Sequence, residues 1–241
     1  MRKFMKMMLV VSVVIPLSFV LTACGGGGGG GGGIPEGRAP TAHEVLQLET
    51  FLTAFEANLE SANPNFQIVR TSDQREVIAF TVRETVTQVG DTIHIYEDVN
   101  AGAFGRYGWE ELRILQGNGD LRVYDRDRET ASWAGVQWYY QVWENHGPMD
   151  AWEALDIIEM LEALMDEGIL WDGGPQDRTT ISMIGNMSVS NHGNTLIISV
   201  RIDDIYDGET WTVVYDWVIT LGGQTVPNAP MNAIPRVWDL G

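Results

Sequence analysis

From Trp211 to Leu221 every odd position is apolar: Trp211, Val213, Tyr215, Trp217, Ile219 and Leu221. Side chains on a strand point alternately to its two faces. This segment therefore predicts a long strand with one face that must be kept from water. Two partners precede it. Leu196, Ile198, Val200 and Ile202 alternate with Thr195, Ser199 and Arg201, and Ile181, Met183, Met187 and Val189 alternate with Thr180, Ser182, Asn186 and Ser188. Asn191-His192-Gly193-Asn194 and Asp207-Gly208 turn the chain between them. The result is a three-stranded antiparallel meander with one apolar face, which needs a cover.

Two helices are available to cover it. Thr41-Ala42-His43-Glu44 fits the Ser/Thr-x-x-Glu capping box. Val45, Leu48, Leu52, Phe55 and Leu59 follow at helical spacing, and Asn63-Pro64 ends the run, which places a helix near 41–62. Asp150-Ala151-Trp152-Glu153 repeats the cap. Trp152, Leu155, Ile158, Leu161 and Met165, with Ile157 and Leu164, form an apolar stripe. Glu153, Asp156, Glu159, Glu162 and Asp166 occupy the other face, and Gly168 is placed to close the helix, near 150–167. The odd face of 211–221 is the expected partner of this second stripe.

Between the helices the pattern is again β. Ile78, Phe80, Val82 and Val86 alternate with Ala79, Thr81, Arg83 and Thr85. Gly90-Asp91 breaks the run, and Ile93 and Ile95 resume it. Tyr107 to Leu115 reads as a strand, Asn118-Gly119 as a hairpin turn, and Val136, Trp138, Tyr140 and Val142 as one face of another strand. The expected fold is α+β: a curved antiparallel sheet of about nine strands, with two amphipathic helices on one face, over residues 41–221. Residues 222–241, with Pro227, Pro230 and Pro235, form an irregular tail that Trp238 would dock. Each helix precedes a set of antiparallel strands, which suggests duplication without matching residues to establish it. This element order resembles the LolA/LppX-type lipoprotein and lipid carriers, and that resemblance implies an acyl-chain cavity between sheet and helices. A tandem helix-plus-four-strand arrangement of the β-lactamase-inhibitor-protein type is the other fold with this order.

The amino terminus is of a different kind. Arg2, Lys3 and Lys6 precede an apolar run from Met7 to Val20, interrupted by Ser12, Pro16 and Ser18. Leu21-Thr22-Ala23-Cys24 follows, then nine glycines, Gly25 to Gly33. The apolar run is shorter than the roughly 20 residues a spanning helix needs. It reads as a cleavable export signal over 1–23. The whole resembles a bacterial lipoprotein signal with its lipobox. The resemblance implies diacylglyceryl attachment at Cys24, cleavage before it and anchorage to an envelope membrane, where two or three acyl chains hold far better than one. Residues 24–40 then read as a tether. Polyglycine has nothing to pack, and nine residues span on the order of 15–18 Å. Residues 25–40 are expected to pack on nothing.

Beyond the signal there are 12 basic residues, all arginine, against 33 acidic ones, a balance of about −21. Absence of lysine after Lys6 excludes Schiff-base, Ser-Lys and phosphate-loop chemistry. A body this acidic is repelled by nucleic acid and anionic lipid, so the membrane is reached through the anchor. Cys24 is the only cysteine, which leaves the domain without disulfides.

No catalytic, cofactor or metal signature is found. His43, His94, His146 and His192 are scattered over four elements and match no zinc pattern. Asp203-Asp204-Ile205-Tyr206-Asp207-Gly208-Glu209 does not match a calcium loop and reads as a solvated hairpin tip. Asp125-Arg126-Asp127-Arg128-Glu129 reads as a charged loop. Glu110 and Glu111 point to opposite faces of a strand and cannot serve one substrate together.

The aromatics are in excess, with nine Trp, seven Tyr and seven Phe. They either fill the core or line a groove for an apolar or sugar ligand. The candidate lining residues are Trp138, Tyr140, Trp152, Leu161, Trp211, Tyr215 and Trp217. The expectation is a non-enzymatic, membrane-anchored envelope lipoprotein that binds an apolar ligand, a lipid or an envelope protein under the second helix. The alternative is a structural or interaction module with a filled core. A void beneath the helix would mark the first, and a packed interface with exposed aromatics the second. A buried cluster of histidine and carboxylate would mark an enzyme.

Overall fold

Thr41 caps helix α1 (Ala42–Leu59) by the mechanism its spacing requires. Its hydroxyl accepts from the Glu44 amide at 3.3 Å, and the Glu44 carboxylate accepts from the Thr41 amide at 2.8 Å. Both donors would otherwise lack a helical partner. In the computed structural model, residues 34–74, 80–130, 132–144, 152–174, 177–190 and 192–236 are described. The signal segment, Cys24, the glycine run, Ile78, His146, Asp150, Asn191 and Trp238 lie outside them.

After α1 come β1 (Asn65–Gln74), β2 (Phe80–Val89), β3 (Thr92–Asn100), β4 (Arg106–Leu115), β5 (Leu121–Arg128) and β6 (Tyr139–Trp143). A 3-10 turn, Gly102–Phe104, joins β3 to β4. Helix α2 (Trp152–Met165) follows, then β7 (Ile169–Asp172), β8 (Asp177–Val189), β9 (Thr195–Tyr206), β10 (Glu209–Leu221) and the two-residue β11 (Ile234–Pro235). Among the described residues the eleven strands form one sheet, in the order β11-β6-β5-β4-β3-β2-β1-β10-β9-β8-β7. Every pairing is antiparallel except β11 with β6.

The sheet thus consists of two meanders, each led by a helix and joined where β1 meets β10. Its eleven strands exceed the nine expected. The sequence pattern outlines no strand over β1, β7 or β11. Asp207 and Gly208 form the β9–β10 turn with φ of +52° and +81°, the backbone of a two-residue hairpin of type I′.

Register fixes which side chains share a face. Phe66 lies opposite Leu221 and Gln88, Ile68 opposite Ile219 and Val86, and Val86 opposite Ile95. Phe66, Ile68, Val86, Ile95, Ile219 and Leu221, with Ile198, Val200, Trp217 and Met183, form one buried cluster with the apolar sides of both helices. From α1 the cluster takes Leu48, Phe51, Leu52 and Phe55, and from α2 it takes Ala154, Ile157, Met160, Leu161 and Leu164.

The buried stripe of α2 is rotated from the one expected. Leu155 is exposed and Ile158 only partly covered, whereas Ala154 is fully buried. Ala154 has the smallest side chain in the stripe, so its position is where the helix can approach most closely. The elements nearest α2 are α1, β7 and β8, and its buried residues share one cluster with Trp217, Ile219 and Leu221 of β10. Gly168 ends the helix with φ +69°, and its amide donates to the Ala163 carbonyl at 2.9 Å.

The tether does not run free up to Pro40. Arg38 exchanges both backbone hydrogen bonds with Met183 at 2.8 Å on the open edge of β8. Its guanidinium donates to the Gly185 carbonyl and to both oxygens of Glu44. Gly185 has φ +62° in a bulge of β8, and the bulge aims its carbonyl at Arg38. Backbone groups on an open strand edge need partners, and residue 38 supplies them. No described helix is long and apolar enough to cross a membrane.

Candidate functional site

The face of the sheet opposite the helices is polar. Two cross-strand rows run across it. One is Gln67, Thr87, His94 and Leu112; the other is Val69, Thr85, Tyr96, Glu110 and Arg126. Each row contains residues from consecutive strands at the same register, so their Cβ atoms stand about 4.5–5.5 Å apart. The tail after β10 passes over these rows. Asn65 fixes it there, accepting from the Gln224 amide at 2.9 Å through Oδ1 and donating through Nδ2 to the Gln224 carbonyl at 3.3 Å. Thr225, Val226 and Pro227 then wall a groove of about 490 Å3 floored by Gln67, Thr85, Thr87, His94, Tyr96 and Glu110.

The polar groups of the floor are held in place by neighbours. His94 Nε2 lies 2.8 Å from Glu110 Oε1. Glu110 Oε2 accepts from Arg126 Nε at 2.8 Å and from Nη2 at 2.5 Å. Gln67 Nε2 donates to the Thr87 hydroxyl at 3.1 Å. Burial opposes ionisation of Glu110, but the bonds from His94 and Arg126 outweigh it and hold the carboxyl below the usual carboxylate range.

Arg126 is itself clamped. Its guanidinium carbon is 4.5 Å from the ring centre of Trp133 and 4.4 Å from that of Trp138. Trp133 Nε1 donates to the Tyr96 hydroxyl at 3.3 Å, with ring centroids 5.9 Å apart. The segment between β5 and β6, which sequence pattern assigned partly to a strand, therefore braces Tyr96 and, through Arg126, Glu110 from outside the groove. Residues 136–138 are irregular, and only Tyr139–Trp143 forms the strand.

A second hollow, of about 510 Å3, lies where α1, α2 and β7 meet. Leu52, Ala163, Met165, Ile169 and Leu170 supply apolar walls, and Glu159, Glu162 and Asp166 an acidic rim.

The seven residues expected to line one ligand site do not converge. Leu161 and Trp217 are completely buried in the helix-side core. Tyr215 stacks beside Trp217 at 6.4 Å and faces Arg70 on the same side of the sheet. Trp211 is exposed near the β9–β10 hairpin tip, beyond the buried cluster. Trp138 and Tyr140 are on the opposite side: Trp138 clamps Arg126, and Tyr140 packs against Tyr124 at 6.0 Å. Trp152 begins α2, and its side chain lies outside the described residues.

The remaining candidates separate in the same way. Glu110 faces the groove, while Glu111 faces the helix side and pairs with Arg113. Asp203 is engaged by Arg201 and Thr212, and Asp204 accepts from Thr179 at 2.8 Å, so these adjacent acids serve opposite faces. Among the described residues no group of three or more His, Cys, Asp or Glu is arranged to hold a metal ion. The Asp125–Glu129 stretch is not a loop. Most of it is β5, and its members pair across strands: Arg126 with Glu110, Arg128 with Asp98, and Asp125 with Arg236 of the tail.

The His94–Glu110 pair is the half-buried histidine–carboxylate cluster that would mark an enzyme. Both carboxylate oxygens are already engaged, however, and the group is held ionised. Among the described residues, Glu110 is the side-chain hydrogen-bond partner of His94.

No protein-family model matches the chain, and no curated protein matches it in sequence.

Proposed function

We propose that this chain is an exported lipoprotein, anchored through Cys24, whose domain is a non-enzymatic binding module of the cell envelope. Its ligand sits on the open face of the sheet rather than beneath α2. One observation carries the choice of face. Ile157, Leu161, Leu164 and Trp217 are all at most 3% exposed in the helix-side core, while the opposite face bears a walled groove. Side chains covered this completely present no open apolar wall to an acyl chain between α2 and the sheet. The Leu21-Thr22-Ala23-Cys24 segment and the glycine run support the anchor, and the engagement of both Glu110 oxygens supports a non-enzymatic role.

Carriage of an apolar ligand is the second reading, supported by the apolar walls of the hollow between α1, α2 and β7. The test combines two measurements. A palmitate analogue fed to cells should label the wild type and not Cys24→Ser, with the variant leaving the membrane fraction. The purified protein should show no saturable binding of an apolar dye. Equal labelling would remove the anchor from the account. Dye binding abolished by Ala163→Glu would return the ligand to α2.

A further inference from the structure

We infer that the open-face groove is a binding site for a neutral saccharide chain, an inference that rests on the reading of that face as the binding surface. Four observations lead to this ligand class. The first is size: about 490 Å3 falls within the range of about 300–1,000 Å3 usual for small-ligand sites.

The second is the hydrogen-bonding capacity left over on the floor. Gln67 uses one N–H on Thr87, which leaves its other N–H and its carbonyl oxygen. Thr87 accepts that bond and retains its own proton. The Tyr96 hydroxyl accepts from Trp133 and retains its proton as well. His94 has one ring nitrogen on Glu110 and one remaining. Donors and acceptors are thus interleaved over three strands. A sugar hydroxyl, which is donor and acceptor at once, matches such a floor. An apolar ligand would bury these groups unsatisfied, at about 1–3 kcal/mol each.

The third is preorganisation. The Tyr96 ring lines the groove and is backed by Trp133, which is braced by Arg126. A rigid aromatic beside fixed hydrogen-bonding groups suits the apolar ring face and polar rim of a pyranose, and little ordering cost remains on binding. The fourth is charge. The Glu110 carboxylate in the floor and the strongly acidic body both disfavour an anionic chain, nucleic acid included.

Titration of the full chain in detergent tests this, read by tryptophan fluorescence and calorimetry. The probes are maltoheptaose, cellohexaose, the hexamer of N-acetylglucosamine and, as an anionic control, an oligogalacturonate. The N-acetylglucosamine arm represents wall-type glycan, and the glucan arms represent storage and plant-type polymers. At least one neutral probe should saturate the protein and bind more tightly than the anionic one. Thr85→Arg, which fills the groove, should weaken binding at least about tenfold. Thr85→Val, which removes only the hydroxyl and leaves fold and volume intact, should weaken it by a smaller but measurable factor. Ile197→Arg, on the same face but distant in the strand order, should change nothing.

Failure of all three neutral probes at about 10 mM, equal binding by Thr85→Arg, or preference for the anionic probe would overturn the inference. Saccharide failure with apolar dye still excluded means that the ligand class is wrong while the open-face reading stands. Saturable dye binding means that the reading itself is wrong.

Discussion

The two faces of this sheet are made from the same strands and differ in almost everything else. On β10, Trp217 is fully buried against the helix-side cluster, and its neighbour Val218 is exposed on the other side. On β4, Glu111 pairs with Arg113 on one side, and Glu110 joins His94 and Arg126 on the other. The helix-side face is held chiefly by non-directional apolar burial, with the Arg70–Glu84 and Glu111–Arg113 pairs beside the apolar cluster. The other is held by directed bonds and clamped arginine, which leaves hydrogen-bonding capacity for something outside. A two-residue period lets one strand serve both purposes, and a slip of one residue would exchange them.

The largest effect should come from emptying the buried face. Trp217→Ala is expected to cost about 3–5 kcal/mol in urea unfolding, whereas Val218→Ala on the adjacent position should stay below about 1 kcal/mol. Similar costs for the two would mean that the faces do not differ as described.

The outer face has its own sensitive point. A Cβ added to Gly108 would stand 2.7 Å from Arg128 Nε and 2.7 Å from the Glu97 carbonyl. Arg128 is buried there, paired with Asp98 and stacked on Trp133. Gly108→Ala should therefore destabilise by about 1–3 kcal/mol and disturb Trp133, which backs Tyr96 in the groove floor. Loss of stability without a change in tryptophan fluorescence would count against this coupling.

How much of this contrast was legible in the sequence varies from strand to strand. The Thr41 cap, the Asp207-Gly208 turn and the buried odd positions Trp217 to Leu221 follow directly from local pattern. Trp211 breaks with the rest of its row because the buried cluster stops short of the hairpin tip. β1 was not legible: after Phe66 and Ile68 its helix-side positions are Arg70 and Ser72, which read as polar until Glu84 is placed opposite Arg70, at 2.6 Å. β7 is only four residues long, and β11 exists only through its pairing with β6.

The groove was hidden for a related reason. His94, Glu110 and Arg126 come from three strands, each 16 residues from the next. Their meeting depends on two hairpin registers that no local motif encodes. The one available signal was the alternation that puts Glu110 and Glu111 on opposite faces.

A smaller effect belongs to the sheet edge, where the tether enters. Hydrogen bonds from Arg38 and then from the Thr41 amide hold the Glu44 carboxyl down from its ordinary 4.5 to about 2. A lowered folded-state value means that this stabilisation is present above about 4.5 and is lost as pH falls toward 2. The pair is near the surface, so Glu44→Gln should cost less than about 1 kcal/mol at pH 7 and nothing near pH 2. A cost independent of pH would show that charge is not its source.

The proposed division is a filled helix side and an open side that binds. Leu161→Ala tests it most directly, with urea unfolding and apolar-dye titration performed on the same two proteins. Leu161 has no exposed surface. The account predicts a loss toward the upper end of about 2–5 kcal/mol and no saturable dye binding by the wild type. A loss below that range, with dye bound by the wild type and altered by the substitution, would contradict it, because a side chain that roofs a void has fewer packing atoms to lose.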